Sequence, residues 1–93
     1  MTIKFSEYFL LDLQNYVSYI TKDKPVAAKK FKIDILKNIK KDLKFPYNFK
    51  KSIYFDNQFI RDYVFKGYTT IYEIDEKNNS VTAIGLIKYK EKL

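Results

Sequence analysis

Residues 59–75 read FIRDYVFKGYTTIYEID, and residues 80–90 read SVTAIGLIKYK. Apolar and polar side chains alternate on both sides of Lys66-Gly67, a two-residue connection in which glycine can take a positive φ. This pattern predicts a β-hairpin formed by strands over 60–65 and 68–75.

A turn over 75–79 and a third, β-branched and apolar strand over 80–89 are expected to complete an antiparallel meander. Alternation in the first strand places Arg61, Tyr63 and Phe65 on one face of the sheet. The three strands therefore carry the only arginine of the chain on a surface that also presents lysines and tyrosines.

The amino-terminal part predicts an edge strand over 2–5 and a helix of about four turns with Ser6 as its N-cap. The helix has an apolar stripe formed by Phe9, Leu10, Leu13, Tyr16, Val17 and Ile20. Its opposite, polar face is expected to meet solvent and carries Asp12, Gln14, Asn15 and Ser18.

A second helix is expected to begin at Pro25 and to end before Phe45-Pro46, because a residue that precedes proline is driven out of helical space. Its apolar stripe consists of Ala28, Phe31, Ile35, Ile39 and Leu43. Residues 47–58 fit a strand, an irregular loop or a turn of helix equally well. The predicted fold class is α+β, with a helical hairpin packed on a small antiparallel sheet in a single domain over residues 1–93.

The amino-acid composition excludes several types of catalytic and metal-binding site. The chain has no cysteine and no histidine, so it offers no disulfide, no thiolate nucleophile, no imidazole base and no zinc site built on those ligands. Hydrophobic residues make up 46% of the chain, which is enough for a packed core. No stretch resembles a signal peptide or a membrane span, so we expect a cytoplasmic protein with no membrane contact and no cofactor.

The net charge is +7, and the excess is concentrated in residues 22–51, which hold eleven lysines and three acidic residues. A surface of this kind favours polyanions such as nucleic acid, or an acidic protein, although lysine-rich faces are also often merely solvated. The residues expected to bind nucleic acid are Lys40, Lys44, Lys50, Lys51 and Arg61.

Several short sequence motifs, found in a consistent order over residues 3–90, resemble those of a known protein family. They are Asp12-Leu13, Tyr19-Ile20, Pro25-x-x-Ala28-x-x-Phe31 with Ile35 and Ile39, Pro46, Ile60-Arg61, Lys66-Gly67-Tyr68, Tyr72-Glu73-Ile74-Asp75 and Lys88-Tyr89-Lys90. Together they resemble the RelE/ParE superfamily of toxins from bacterial type II toxin-antitoxin systems.

The resemblance implies a small toxin that arrests growth and is silenced by a cognate antitoxin, usually encoded beside it. RelE-like members cut messenger RNA in the ribosomal decoding site without a metal, and ParE-like members inhibit DNA gyrase. The basic charge and the sheet cations favour ribosome-dependent mRNA cleavage. Gyrase inhibition is the alternative, and a small basic nucleic-acid-binding module without toxicity is a third hypothesis.

RNA cleavage of the RelE type needs a proton acceptor, cations for the phosphate and a donor to the leaving oxygen. The residues that the resemblance proposes as catalytic are Arg61, Lys66, Lys88, Tyr89 and Lys90. Thr69 stands where relatives commonly have an arginine, and lysines stand at 88 and 90 where many have histidine or arginine.

Arg61 is interpreted either as a phosphate clamp or as a structural ion-pair partner of Asp62, Glu73 or Asp75. Tyr68 and Tyr72 are expected in the core. The aromatic side chains before the hairpin are expected in the core and on the surface facing the antitoxin, in preference to stacking on bases. They are Phe45, Tyr47, Phe49, Tyr54, Phe55 and Phe59.

Overall fold

The computed structural model describes residues 1–88, which form two helices, a 3₁₀ turn and four strands. In chain order the elements are β1 (Thr2–Phe5), α1 (Glu7–Thr21), α2 (Pro25–Asp42), the 3₁₀ turn (Pro46–Asn48), β2 (Ile60–Phe65), β3 (Tyr68–Asp75) and β4 (Ser80–Lys88).

Helix α1 begins as the sequence predicts, because the Ser6 side chain accepts a hydrogen bond of 3.1 Å from the backbone N–H of Phe9. Phe9 and Leu13 are buried, but Leu10 is 47% exposed, so its place in the predicted stripe was wrong. Leu10 lies about 100° around the helix from Phe9, at the margin of the arc that a single buried face can cover.

Helix α2 begins at Pro25, where the missing N–H of proline costs no hydrogen bond. The helix ends at Asp42, ahead of the 3₁₀ turn that starts at Pro46, and Leu43 is the C-cap. Its predicted apolar stripe faces inward: Ala28, Ile35, Ile39 and Leu43 are buried and Phe31 is half-buried.

The β2–β3 hairpin has the predicted bounds and a two-residue connection, with Phe65 paired to Tyr68. Both connecting residues adopt the left-handed region, with φ of 51° at Lys66 and 84° at Gly67. This is the geometry that a tight hairpin turn requires, and glycine adopts it without a steric cost.

The sheet has the strand order β1-β4-β3-β2. Strands β2, β3 and β4 are antiparallel neighbours as predicted, but β1 pairs in parallel with β4, so the sheet is mixed and not wholly antiparallel. Parallel pairing is available here because the chain runs through both helices and the hairpin before it returns to β1. The α+β class is confirmed.

The free edge of β4 beyond β1 is covered by side chains of α1. Backbone N–H groups of Leu86 and Lys88 each donate a hydrogen bond of 3.1 Å, the first to the Asp12 carboxylate and the second to the Tyr16 hydroxyl. Asp12 was expected on the solvent face of α1, and that prediction was wrong. A half-buried carboxylate is retained there because it satisfies a strand N–H that no neighbouring strand reaches.

Residues 47–58, which the sequence left open, continue from the 3₁₀ turn into a loop that touches the outer edge of β2 at one bridge, between Lys51 and Arg61. The backbone N–H of Ser52 donates to the carbonyl of Ile60 at 2.8 Å, and that of Asp62 donates to the carbonyl of Lys50 at 3.0 Å. The loop thus protects part of an otherwise open strand edge.

The core lies between the two helices and one face of the sheet. Its buried side chains are Phe9, Leu13, Ile35, Ile39, Leu43, Tyr63, Tyr72, Ile74, Val81, Ala83 and Leu86. Tyr72 is in this core and Tyr68 packs against it, as predicted. Neither described helix combines the length and apolarity that a membrane crossing needs.

Candidate functional site

The predicted sheet cations do not meet at one point. Arg61 pairs across the sheet with Tyr72, whereas Lys66 lies in the hairpin turn and Lys88 pairs with Tyr68 near that turn. Arg61 and Lys66 are separated by five positions along an extended chain, which corresponds to about 16 Å between their backbones. Arg61 and Lys88 are about 13 Å apart along the strands and about 10 Å apart across them.

Arg61 holds the loop of residues 47–58 at two points. Its Nε donates to the carbonyl of Gln58 at 3.0 Å, and its Nη1 donates to the carbonyl of Phe49 at 2.8 Å. The guanidinium also lies 5.0 Å from the ring centroid of Tyr47. Within residues 1–88 Arg61 forms no ion pair, so its interpretation as a partner of Asp62, Glu73 or Asp75 was wrong.

One carboxylate lies near Arg61, beyond the ring of Tyr47. The Tyr47 hydroxyl donates to the Glu76 carboxylate, and this bond is the main reason that the pKa of Tyr47 is raised. Glu76 also lines a cavity of about 350 Å³ together with Glu73 and Asp75. The pKa of Asp75 is lowered, chiefly by a hydrogen bond from the Asn78 side chain, so this carboxylate is ionised at neutral pH. The negative charge of Glu76 near Arg61 opposes the approach of a phosphate.

Lys66 is engaged by α2. Its Nζ lies 3.4 Å from the Asp34 carboxylate, which also accepts a hydrogen bond of 3.1 Å from Lys30. The Lys30 hydrogen bond is the largest cause of the lowered pKa of Asp34, and burial opposes it. The Lys66 ammonium also lies 5.5 Å from the Phe65 ring centroid. These contacts draw Lys66 toward the helical layer.

Lys88 is exposed at the end of β4 and lines a cavity of about 330 Å³ with Asn15, Tyr16, Tyr19 and Tyr68. Among the residues predicted as catalytic, it is the one described cation with no ion pair to another described residue and no backbone carbonyl partner. Tyr89 and Lys90, which were predicted beside it, lie outside the described residues.

The residues predicted to bind nucleic acid divide between two places. Lys40 and Lys44 are exposed on α2 and just after it, while Lys50 and Lys51 lie in the loop at the β2 edge. Lys51 forms an ion pair of 3.1 Å with Asp56, although both side chains are largely exposed, so the pair contributes little to stability. Their role in binding remains a prediction.

Lys50 and Lys51 border a mostly apolar groove of about 610 Å³ on the sheet face away from the helices. Asp62 and Thr69 also line this groove, and one Asp62 oxygen accepts from the N–H of Ile53 at 3.2 Å. Thr69 is buried, so the position that resembles a common arginine site of relatives offers no charge and little access.

The aromatic side chains before the hairpin separate into two groups. Phe49 and Phe59 pack against the core as predicted, whereas Phe45, Tyr47, Tyr54 and Phe55 are exposed. The exposed group fits the part of the expectation that placed some of these side chains on the surface. Their contact with an antitoxin remains a prediction.

The buried tyrosines are hydrogen-bond donors. Tyr63 donates to the Asp42 carboxylate, and Tyr72 donates to the carbonyl of Pro46 at 2.6 Å. The pKa of each phenol is raised, first because burial disfavours the phenolate; at Tyr63 the Asp42 hydrogen bond adds to this effect. Both tyrosines therefore remain protonated at neutral pH and stabilise the fold.

Sequence reasoning missed Asp12, Tyr16 and Asp42 as contact residues. Asp12 and Asp42 are polar side chains next to the apolar stripe of their helix, and Tyr16 lies within the stripe of α1 but carries a hydroxyl. These positions are the signal that could have identified them. Among residues 1–88 no three carboxylates gather closely enough to hold a metal ion.

Comparisons with known proteins agree with this fold. The sequence of residues 3–92 matches the family described as ParE toxin of type II toxin-antitoxin system, parDE. The fold is similar to a solved chain from the chromosomal ParDE toxin-antitoxin system of P. aeruginosa, with a TM-score of 0.80 and 12% identity over 97% of each chain. At this identity the likeness concerns the fold alone. No curated protein matches the sequence.

Proposed function

Because the chain belongs to the ParE toxins of type II toxin-antitoxin systems, we propose that it arrests growth by binding and inhibiting DNA gyrase, without cutting RNA. The observation that carries this proposal is the separation of the sheet cations. Arg61 lies near the start of β2 and Lys66 lies in the turn just beyond its end, and each is engaged by other parts of the chain.

RNA cleavage by the 2′-hydroxyl requires cations and a proton acceptor within a few ångströms of one phosphate. In this chain two N–H groups of Arg61 are bound to backbone carbonyls, and its guanidinium lies against the ring of Tyr47, whose hydroxyl is bound to the Glu76 carboxylate. Lys66 is attracted to Asp34. These contacts weaken the two cations as a joint phosphate site and support an inhibitor that acts through its surface.

The pKa values of three tyrosines also favour an inhibitor over an RNA-cleaving enzyme. A phenol acts as a base only after it loses its proton, yet the pKa values of Tyr47, Tyr63 and Tyr72 are all raised. The largest causes are the Glu76 hydrogen bond at Tyr47 and burial at the other two. Raised pKa values suit structural donors better than proton acceptors at neutral pH.

A noncatalytic inhibitor needs an exposed surface that fits its target. Helices α1 and α2 present large apolar side chains to solvent, including Tyr8, Leu11 and Tyr19 on α1 and Val26 and Ile33 on α2. Substitutions on the helical hairpin should therefore reduce toxicity more than neutralisation of the sheet cations does.

The test compares growth arrest after induction of the chain without its antitoxin. The double variant Lys66→Gln/Lys88→Gln should retain arrest at an inducer level within about twofold of the wild type, as expected for surface changes outside a binding site. Lys4→Gln/Lys77→Gln, at two exposed residues, removes the same number of charges and is the matched control for loss of surface charge.

Messenger RNA from the same cultures is mapped for cleavage at the ribosomal A site, because ribosome-dependent cleavage is the alternative. Intact messages during arrest would support the proposal. A-site cleavage that disappears in the double variant, together with loss of arrest, would overturn it and assign the chain to the RNA-cleaving branch.

A further inference from the structure

The solvent face of α2 combines two exposed aliphatic side chains with lysines on both sides. Val26 is 82% exposed and Ile33 is 58% exposed. They are seven residues apart, so they lie within about 20° of each other around the helix. An aliphatic pair in this arrangement is unusual for a helix whose core side already buries a full apolar stripe.

Lysines flank this pair at helical spacing. Lys30 and Lys37 follow Val26 and Ile33 by four positions, Lys29 follows Val26 by three, and Lys40 follows Ile33 by seven. We call these six residues, Val26, Lys29, Lys30, Ile33, Lys37 and Lys40, the basic α2 face. It extends for about 21 Å along the helix axis.

Most of this charge is uncompensated. Lys30 pairs with Asp34, but Lys29, Lys37 and Lys40 form no ion pair with any residue among 1–88. Three neighbouring ammonium groups without a carboxylate repel one another, and an acidic partner would relieve that repulsion.

We propose that the basic α2 face is the docking surface for an acidic amphipathic helix of the cognate antitoxin. Aliphatic side chains of that helix would pack on Val26 and Ile33, and its flanking carboxylates would pair with Lys29, Lys37 and Lys40. This is the arrangement of a helix pair with an apolar seam and charged flanks. The proposal rests on the antitoxin that membership of the ParE family implies, and not on gyrase as the target.

The aliphatic pair favours a protein helix over nucleic acid. A duplex would meet the lysines with its phosphates, but it would leave Val26 and Ile33 against the charged backbone with no apolar contact. An acidic amphipathic helix would offer apolar contacts to Val26 and Ile33 and carboxylates to the lysines. Its expected signature is a pair of aliphatic residues seven positions apart with Asp or Glu beside them.

The first experiment measures affinity for the protein encoded by the gene beside that of this chain. Lys29→Glu/Lys37→Glu should weaken binding about tenfold or more at low salt, and the loss should shrink as salt screens the charges. The control Lys4→Glu/Lys77→Glu changes the net charge equally at exposed sites on β1 and in the turn between β3 and β4.

A second pair of variants tests the aliphatic seam. Val26→Ser should weaken antitoxin binding several-fold, by about fivefold or more, whereas Ile53→Ser should change it by less than about twofold. Val26 and Ile53 are the matched choice because each is 82% exposed, so neither substitution removes a core contact. Equal losses in the α2 variants and their controls would overturn the proposal.

A footprint on the wild-type chain does not depend on the folding of any variant. Acetylation of Lys29, Lys37 and Lys40 should slow in the antitoxin complex, while that of Lys4 and Lys77 should not. A 20-base-pair DNA duplex serves as the competing probe. Protection of these lysines by the duplex and not by the antitoxin would overturn the proposal in favour of nucleic acid, and antitoxin binding without protection would place the interface elsewhere.

Discussion

Removal of one buried hydroxyl should measurably loosen the attachment of the 3₁₀ turn to the sheet. Tyr72 is 0% exposed, and its hydroxyl donates to the carbonyl of Pro46 at 2.6 Å. Tyr72→Phe leaves the ring in place but deprives that carbonyl of its donor. A buried polar group left without a partner costs about 1–3 kcal/mol.

Urea denaturation measures this cost directly. For a chain of this size, with an m-value of about 1 kcal/mol per molar urea, the midpoint should fall by about 1–3 M while the m-value stays constant. The thermal midpoint should fall by about 4–8 °C for each kcal/mol lost. Tyr8→Phe is the matched control, because Tyr8 is 77% exposed and the same atom is removed there.

The refuting result is a Tyr72→Phe variant whose free energy of unfolding matches that of Tyr8→Phe within about 0.3 kcal/mol, well below the cost of about 1–3 kcal/mol expected for a buried carbonyl left without a donor. A changed m-value would instead mean that the substitution alters the native or the denatured state more broadly.

Three further outcomes are expected. Below a pH of about 10, ionisation of the phenols should not affect the free energy of unfolding. Above that pH, the free energy should fall by up to about 1.4 kcal/mol per pH unit for each of Tyr63 and Tyr72, because their pKa values are raised in the folded state and they release their protons on unfolding. Denaturation measured against pH should show a shallower decline for the Tyr→Phe variants. Asp12→Ala should destabilise the chain by about 1–3 kcal/mol in urea, since the N–H of Leu86 loses its acceptor, whereas Gln14→Ala should not. Arg61→Lys should speed proteolytic cleavage within residues 47–58, because lysine lacks the planar guanidinium that donates to the carbonyls of both Gln58 and Phe49. Unchanged cleavage would contradict the anchoring role of Arg61.

Local patterns determine the parts of the fold that the sequence predicts. The Ser6 cap, the start of α2 at Pro25 and the turn at Lys66-Gly67 depend on neighbours within a few residues, and all three are confirmed. The parallel pairing of β1 with β4 joins segments nearly eighty residues apart, as in Thr2 with Ser80, and no local pattern encodes such a contact.

The candidate site was less predictable for the same reason. Alternation places Arg61 on the face shared with Tyr63, but it does not tell which carbonyls the guanidinium reaches, because these belong to a loop without periodicity. The distance between Arg61 and Lys66 follows from the strand length, and it could have been read from the sequence as a warning against one common site.

Plasmid supercoiling by purified DNA gyrase tests the central claim most directly, because the reaction contains no ribosome and no RNA. The chain should inhibit supercoiling in proportion to its concentration, the antitoxin should restore the reaction, and Lys66→Gln/Lys88→Gln should inhibit within about twofold of the wild type. Full supercoiling at a molar excess of a folded, growth-arresting chain would contradict the account.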